Sequence, residues 1–348
     1  MKTIIISGAG IAGMTAAKIL TQGGRKVIIY EKEKAVGQSR HGDFEGLENW
    51  IFADSGPLFF ESHGFEWLDL KQQSIFNFSI HTEKIPALVL KSKLPFFHII
   101  RRGSAANTID SYLYEQCLKS GTEFCFDQKG PEGADIIATG SIKAAAYIRG
   151  ITFSTKMKDQ VHLLLGRRFA PKGYAYLIVN ERRGTLAAAF KKTKNIDNPL
   201  IESINYFKNS GFNIPHGKHF AGRGSFSIPY NPLLVKPIYI GESGGFQDYL
   251  FGFGIRLAMA SGKISAFKLM GLESEAQKLL KIIKQKQKLS YMQRLIFEKL
   301  SDQQLRKAAE KMSSVKNPLS ILGNAYTWNF KRVIQWLIIK GKNEIHNF

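Results

Sequence analysis

The chain has 348 residues, of which 44% are hydrophobic and 22% are charged, so we expect a folded globular protein and not a disordered one. Its two cysteines, Cys117 and Cys125, are too few for a disulfide framework or a cysteine-ligated iron–sulfur cluster. No apolar run approaches the roughly 18–20 residues that a membrane span needs. A turn ends the apolar run that follows Met1, so we expect no secretory leader and a cytoplasmic protein.

The formal net charge of +21 at pH 7 has two interpretations. One is a polyanionic partner, such as an anionic membrane surface, a nucleic acid or an acidic ligand. The other is a general preference for lysine in the proteins of the source cell. Composition alone does not separate the two.

The first predicted elements are a strand, a helix and a second strand. Residues 3–7 carry the β-branched run that is typical of a buried parallel strand. A helix is predicted over residues 14–22, where two glycines stop it, and a second apolar strand over residues 27–30. This order predicts a nucleotide-binding unit with a Rossmann-like parallel sheet.

Gly8, Gly10 and Gly13 form a G-x-G-x-x-G turn between the first strand and the helix. The first glycine permits the tight turn, the second lets a pyrophosphate approach the backbone, and the third lets helix and strand pack closely. Free N–H groups at the helix start would face the phosphates. Glu31, at the end of the second strand, is placed to accept hydrogen bonds from ribose hydroxyls. The motif predicts that FAD or NAD is bound by Gly8, Ala9, Gly10, Ile11, Ala12, Gly13, Glu31 and Lys32.

Two later segments are predicted to complete the same site. Residues 133–141 read as a short buried strand that ends in Ala138, Thr139 and Gly140. Residues 238–240 read as another strand, and five glycines lead from it to a helix that begins at Ile255. A second strand–glycine–helix unit favours FAD, because the flavin end of FAD lies far from the first turn. N–H groups at the start of this helix would stabilise negative charge on the reduced flavin.

In this order, the three segments resemble the flavoproteins of the geranylgeranyl reductase type, within the aromatic-hydroxylase superfamily. The family motif G-D-A-A-G-F-x-D-P-x-x-G-x-G-I-R-x-A-M-x-S-G is similar to residues 241–262, which read GESGGFQDYLFGFGIRLAMASG. Glu242 replaces the family's aspartate and Tyr249 its proline, which leaves the exact reaction open. The resemblance covers residues 1–270 and implies FAD contacts at Gly241, Glu242, Gly252, Gly254 and Ile255.

The resemblance also implies roles for three arginines. Arg102, with Arg101 as the alternative, stands where the family has an arginine followed by an S-x-D-x-x-L helix, and it is expected to contact the FAD phosphates. Arg40 is expected to reach the cofactor, although residues 36–50 lack the cysteine of archaeal members. A solvated basic pair is the alternative interpretation of Arg101 and Arg102.

Residues 169–179 resemble the family's substrate-cavity motif P-x-x-Y-x-W-x-F-P. Pro171 and Tyr174 match it, Tyr176 replaces the tryptophan and Ile178 replaces the phenylalanine. The resemblance therefore implies that these four residues line an apolar substrate cavity. An ordinary strand with alternating aromatic residues is the alternative.

The predicted fold class is α/β, with a discontinuous FAD-binding domain over residues 1–48, 98–146 and 234–270. Residues 49–97 and 147–233 are expected to form a mixed-sheet α+β substrate domain, in which VNERRGTL is a hairpin turn. Strands are also expected in GITFST, VHLLLGRR and GRGSFSIPY.

Residues 271–348 are predicted to be a basic helical region, with 15 Lys and Arg against 6 Asp and Glu. Tyr326, Phe330, Val333 and Leu337 recur at helical spacing, with tryptophans and lysines around them. Such a helix suits an anionic membrane interface, and peripheral attachment is one hypothesis. A terminal helix that packs on its own domain is the other.

The sequence assigns the chemistry to the flavin. The histidines are scattered, so no metal site is predicted, and no side chain is identified as a catalytic residue. We expect hydride transfer from flavin N5 to a C=C bond of an isoprenoid or other lipid-like substrate, with NAD(P)H as one candidate electron donor. A flavin monooxygenase of the aromatic-hydroxylase type is the alternative within redox chemistry.

Two hypotheses of other classes stay open. The first is an RNA-binding flavoprotein, motivated by the charge, although no recognisable RNA-binding module interleaves with the basic residues. The second is a non-catalytic scaffold stabilised by FAD, motivated by Glu242 and the altered cavity motif.

Overall fold

The computed structural model describes residues 2–83, 86–140, 145–191, 198–224 and 235–342. The strands of this described part are β1 (Ile4–Ser7), β2 (Val27–Tyr30), β3 (Phe44–Glu48), β4 (Gln72–Ile75), β5 (Asn77–Thr82), β6 (Leu88–Lys91), β7 (Phe97–Arg101), β8 (Glu123–Cys125), β9 (Ile136–Ile137), β10 (Ala146–Ser154), β11 (Gln160–Leu165), β12 (Tyr174–Asn180), β13 (Arg183–Phe190), β14 (Lys218–Gly224) and β15 (Ile238–Tyr239). The α-helices are α1 (Ile11–Gln22), α2 (Gly56–Ser62), α3 (Ile109–Lys119), α4 (Pro199–Asn209), α5 (Ile255–Leu269), α6 (Glu273–Phe297), α7 (Asp302–Ser314), α8 (Pro318–Asn324) and α9 (Phe330–Lys342).

A parallel sheet with the strand order β15-β9-β1-β2-β8 forms the nucleotide-binding half. Its short strands are apolar because helices cover the sheet. The predicted α/β class with a Rossmann-like sheet is therefore confirmed. The helix α1 begins at residue 11, three residues before the predicted start, so Gly13 lies in its first turn.

The helices α1 and α5 pack closely against each other, and glycine makes this possible. A Cβ on Gly262 of α5 would lie 2.5 Å from the backbone oxygen of Ala12 in α1. Their buried side chains belong to the same core as β1, β2 and β9. The early and the late glycine segments are thus parts of a single folded body.

A seven-stranded mixed sheet with the order β14-β10-β13-β12-β11-β5-β6 forms the second half. The predicted hairpin between β12 and β13 is present, and Glu181 and Arg182 turn it with φ angles of 47° and 62°. Side chains on one face of this sheet pack on α4. Of the predicted strand in GRGSFSIPY, the structure describes residues 222–224 as part of β14, and residues 225–230 lie outside the described residues.

A smaller antiparallel sheet with the order β3-β7-β4 lies between the two halves. The stretch that follows β3 packs into the nucleotide-binding half, since Phe59, Phe60 and Phe65 belong to the core of the parallel sheet. The predicted domain boundary at residue 48 stays a prediction, but it does not separate two cores.

The C-terminal region is helical from α6 to α9, as the sequence predicts. Trp336 of α9 is 9% exposed and packs on Leu289 and Met292 of α6. Tyr326 precedes α9 and is buried against the late glycine segment, so it does not share a face with Phe330. In the described part of the chain, none of the helices combines the length and the apolar character that crossing a bilayer requires.

Candidate functional site

The early glycine turn and the loop after β9 meet at the carboxyl edge of the parallel sheet. Here β1 leads into Gly8 and β9 leads into Ala138, whose backbone N–H donates to the oxygen of Ser7 at 2.7 Å. From β1 the sheet continues through β2 and β8 on one side and through β9 and β15 on the other, so the direction of strand addition changes at β1. Open α/β sheets bind ligands in the crevice at such a reversal.

Two of the three early glycines are required by the protein itself. Gly8 has φ +106°, and a Cβ there would lie 2.4 Å from the oxygen of Ala138. A Cβ on Gly13 would lie 2.1 Å from the oxygen of Gly8. Both contacts are impossible for a side chain, so these glycines close the turn onto the sheet.

Gly10 has no such reason to be glycine. Its backbone is extended (φ −77°, ψ 174°), and the nearest atom to a Cβ, the oxygen of Ala138, is 4.0 Å away. Gly254 likewise has negative φ (−120°) and no atom within 4 Å of a Cβ. Open space also surrounds Gly140 and Gly252, although their positive φ angles alone favour glycine. Gly10 and Gly254 therefore indicate room for a ligand against the backbone.

Both of these glycines stand at the start of a helix that lacks a side-chain cap. Gly10 precedes α1 and Gly254 precedes α5, whereas Thr108 and Ser301 cap α3 and α7. The helices α2 and α6 also lack a side-chain cap, but a glycine with open space beside it does not precede either of them. An uncapped helix start presents N–H groups and a partial positive charge to an anion. The glycine segment ahead of α5 contacts α1, since a Cβ on Gly241 would lie 2.9 Å from the Cβ of Ala12. The residues present therefore fit an extended dinucleotide with an anionic centre.

Glu31 is held beneath the early turn. Its Oε2 accepts from the N–H of Ala9 at 2.8 Å, and its Oε1 accepts from the N–H of Glu33 at 3.0 Å. Lys32 is exposed and pairs with Glu33 at 3.5 Å. The carboxylate of Glu31 is thus fixed beside the glycine turn, where a ribose contact remains the prediction.

Arg102 has different partners from those expected. Its guanidinium donates to both carboxylate oxygens of Asp110 at 2.8 and 2.9 Å and to Glu45 at 2.9 Å. Burial lowers its pKa, but the two carboxylates outweigh burial and raise the pKa above its usual value. Arg102 therefore joins β3, β7 and α3, and its contact to a phosphate stays a prediction. Arg40 is exposed and lies 3.6 Å from Glu45.

Asp248 organises the late glycine loop. Its buried carboxylate accepts from the N–H groups of Leu250 and Phe251 at 3.1 and 2.8 Å. The hydroxyl of Tyr326, from the C-terminal region, donates to it at 2.9 Å. Burial raises the pKa of Asp248, whereas these hydrogen bonds lower it. Glu242, also in this segment, lies in the short 3-10 helix over Gly241–Gly244.

The predicted substrate residues face the late glycine loop. Tyr174, Tyr176 and Ile178 alternate along β12 and share one face of the sheet, and the hydroxyl of Tyr174 donates to the backbone oxygen of Phe251. Pro171 is buried before this strand. Burial raises the pKa of Tyr174 and of Tyr176, so both hydroxyls stay protonated at neutral pH.

Aromatic side chains close the space beside this loop. The ring of Trp50 lies edge-on to Phe253 and Phe251, with centroids 5.0 and 6.3 Å apart. A Cβ on Gly46 of β3 would lie 2.8 Å from the ring of Phe253. These packed aromatic rings make the region apolar.

Glu48 is a buried acid that sequence reasoning missed. It ends β3 and is 1% exposed, and its Oε1 has no hydrogen-bond partner among the described residues. Burial raises its pKa to about 8; the charge of Arg256 opposes this rise and that of Asp248 adds to it. The nearby Arg256 donates to the backbone oxygens of Glu48 and Asp54 at 3.0 and 2.6 Å. The strand reads FEGLE, and nothing in this short pattern distinguishes the buried Glu48 from Glu45.

Histidines form one buried pair that the sequence did not predict. The Nε2 of His81 and the Nδ1 of His162 are 2.9 Å apart, and burial lowers both pKa values to about 4. Across the described ranges, His, Cys, Asp and Glu side chains do not form a group of three that could hold a metal ion. His346 lies outside the described residues.

Comparisons with known proteins support this geometry. Residues 6–70 match a family model described as an NAD(P)-binding Rossmann-like domain. The comparison with curated proteins gave no significant match.

Solved structures share the fold over nearly the whole chain. A geranylgeranyl bacteriochlorophyll reductase-like protein from Thermoplasma acidophilum has a TM-score of 0.73 at 17% identity, covering 97% of this chain and 99% of that one. CtdE in complex with FAD has a TM-score of 0.57 at 16% identity, covering 97% and 100%. The flavin-dependent halogenase CmlS has a TM-score of 0.57 at 12% identity, covering 98% and 70%.

At these identities the likenesses show the fold alone: the chain shares the fold of solved proteins that include a flavin-dependent halogenase and a protein in complex with FAD. Of the three structures, the reductase-like protein from Thermoplasma acidophilum has the highest TM-score. The predicted resemblance to flavoproteins of the geranylgeranyl reductase type is confirmed at the level of the fold.

Proposed function

We propose that this protein is an FAD-dependent oxidoreductase that reduces a C=C bond of an isoprenoid or other lipid-like substrate. The observation that carries the proposal is the pair of uncapped helix starts at Gly10 and Gly254, which have open space beside the glycine and belong to glycine segments that contact each other. The FAD of CtdE, whose fold this chain shares, supports FAD over NAD.

Bound FAD would supply hydride from its N5 position. The helix start at Gly254 would hold negative charge at the pyrimidine edge of the ring. Tyr174 fixes the loop through Phe251, and Trp50 and Phe253 would keep water away from a carbon that reacts beside this loop. The proton donor is open between a side chain and solvent.

The direct test is substrate-dependent reoxidation of the reduced protein without oxygen. We expect anaerobically reduced protein to transfer two electrons to a prenyl substrate and to yield the saturated product, detected by mass spectrometry. Native mass spectrometry of the purified protein would identify the cofactor and any co-purified lipid. Oxygen consumption with NAD(P)H and a hydroxylated product would instead establish the monooxygenase alternative. Flavin that dithionite reduces but no substrate reoxidises would establish the scaffold.

We also propose that α9 attaches the protein to an anionic membrane surface. Phe330 and Leu337 are 83% and 62% exposed, and Val333, Ile334 and Ile338 continue the same apolar face. Trp336 holds α9 to α6 from the other side. Lys331 is exposed next to this face, in a region with 15 Lys and Arg and 6 Asp and Glu. An apolar face with flanking cations is the pattern of an interfacial helix.

The double variant Phe330→Ser/Leu337→Ser should bind anionic vesicles about tenfold more weakly, because two partly inserted side chains would contribute on the order of 1–2 kcal/mol. Cosedimentation with vesicles measures this. The matched control is Leu58→Ser/Leu68→Ser, which removes two leucines that are 58% and 94% exposed elsewhere. Equal binding of both variants and wild type would reject the membrane proposal. Steep, salt-dependent binding to tRNA without vesicle binding would favour the RNA-binding hypothesis.

A further inference from the structure

A cavity of about 570 Å³ lies beside the β12–β13 hairpin, away from the glycine turns. Its lining includes Arg101, Arg183, Lys218, His41 and His216. None of the described residues that line it is an aspartate or glutamate. With three cationic side chains, Arg101, Arg183 and Lys218, and no acid in its lining, the cavity has a positive potential.

The two arginines of this cavity lack counter-charges. In the described part of the chain, neither Arg101 nor Arg183 forms an ion pair, although the adjacent Arg102 holds two carboxylates. The Nε of Arg101 is buried and has no hydrogen-bond partner among the described residues. Burial, and then repulsion by Arg183, lowers the pKa of Arg101. Two like charges held together with an unsatisfied buried donor are unfavourable unless an anion joins them.

The cavity lies on the face of the seven-stranded sheet that carries the predicted substrate residues of β12. Arg183 pairs with Asn180 across the hairpin, and Thr185 pairs with Ile178. Ala189 pairs with Tyr174, whose hydroxyl contacts the late glycine loop. Paired residues of neighbouring strands point to the same face. Arg183 therefore lies on the same face as the predicted substrate residues, about 20 Å along β13 from the loop.

A second cavity of about 420 Å³ shares Arg101 and Arg183 with the first. Its acids already have partners, since Glu181 pairs with Lys71 at 2.8 Å and Asp159 accepts from the N–H of Glu181 at 3.0 Å. Among the described residues, neither of these carboxylates forms an ion pair with Arg101 or Arg183.

We propose that Arg101 and Arg183, with Lys218, form a binding site for a phosphate-type oxyanion. Guanidinium groups bind such oxyanions with paired, charge-assisted hydrogen bonds, and the free Nε of Arg101 supplies one donor. The phosphoryl group belongs to a substrate whose apolar part reaches the late glycine loop, or to a dinucleotide electron donor.

The test is calorimetric titration of the flavin-loaded protein with inorganic pyrophosphate. We expect wild type to bind, and Arg183→Gln to bind at least tenfold more weakly. The matched control is Arg182→Gln, which makes the same change of charge at the next residue, outside both cavity linings. It should bind as wild type does. Arg101→Gln should repeat the effect of Arg183→Gln.

Competition identifies the source of the phosphoryl group. Displacement of pyrophosphate by a short prenyl diphosphate, but not by the prenyl alcohol, assigns the site to the substrate. Displacement by NADPH more than by NADH assigns it to the electron donor. No binding of pyrophosphate, or equal weakening by Arg182→Gln and Arg183→Gln, would overturn the proposal. Flavin content and alkene reduction are measured in parallel, so failure of this site is distinguished from failure of the proposed function.

Discussion

The Gly10→Val variant is expected to fold normally and to be purified without flavin. Its backbone has φ −77° and ψ 174°, which valine adopts freely, and no protein atom lies closer than 4.0 Å to the new Cβ. The branched side chain would fill the space through which a pyrophosphate approaches α1. We expect FAD affinity to fall by at least about 100-fold, or roughly 3 kcal/mol.

Flavin absorbance and circular dichroism together measure this result. Gly133→Val is the matched control, since Gly133 also has open space around its Cβ but precedes β9, at the opposite edge of the sheet. It should retain flavin. Gly13→Val should fail differently, by destabilising the fold, because its Cβ would lie 2.1 Å from the oxygen of Gly8. Gly10→Val protein that retains stoichiometric FAD would refute the proposed site.

The Glu48→Gln variant should be more stable than wild type at alkaline pH. Burial raises the pKa of Glu48 to about 8, against 4.5 in an unfolded chain. The folded protein therefore holds a proton that the unfolded chain has released, and wild type loses stability as pH rises from about 5 to 8. Glutamine stays neutral, so its advantage should grow through this window to on the order of 4 kcal/mol.

Urea unfolding of both proteins at several pH values measures the difference. The exposed Glu115 of α3 provides the control, since Glu115→Gln should show no such growth with pH. His63, His81, His98 and His162 have pKa values lowered by burial, but they are present in all three proteins and cancel in the comparison. A difference between Glu48→Gln and wild type that is constant with pH would show that Glu48 is ionised when folded.

The local parts of the fold were predictable because adjacent residues determine them. The β1–α1–β2 unit and the hairpin between β12 and β13 follow from periodicity and turn residues within about 30 residues of sequence. The late motif was recognisable for the same reason: Gly254 and Ile255 start α5 as expected.

The parts that sequence did not reveal depend on contacts between distant segments. The sequence did not reveal that Glu45 and Asp110, from two other elements, bind the guanidinium of Arg102, whose contact to a phosphate stays a prediction of the resemblance. Arg256, from the distant helix α5, donates to the backbone oxygens of Glu48 and Asp54 and lies against this acid. Helical spacing grouped Tyr326 with Phe330, whereas the chain turns between them and sends one inward and one outward. Contacts of this kind join residues that are far apart in the sequence, so they leave no periodic pattern from which they could be predicted.

The hydroxyl of Tyr326 has a practical consequence for shortening the chain. Among the described residues beyond α8, only Tyr326 donates a hydrogen bond to the carboxylate of Asp248, which shapes the turn ahead of α5. A truncation at residue 322 would remove the Tyr326 hydroxyl that donates to Asp248, whose carboxylate would stay buried. Shortened versions that end after residue 329 would keep Tyr326 and remove only α9, so they isolate the surface helix from the interior hydroxyl.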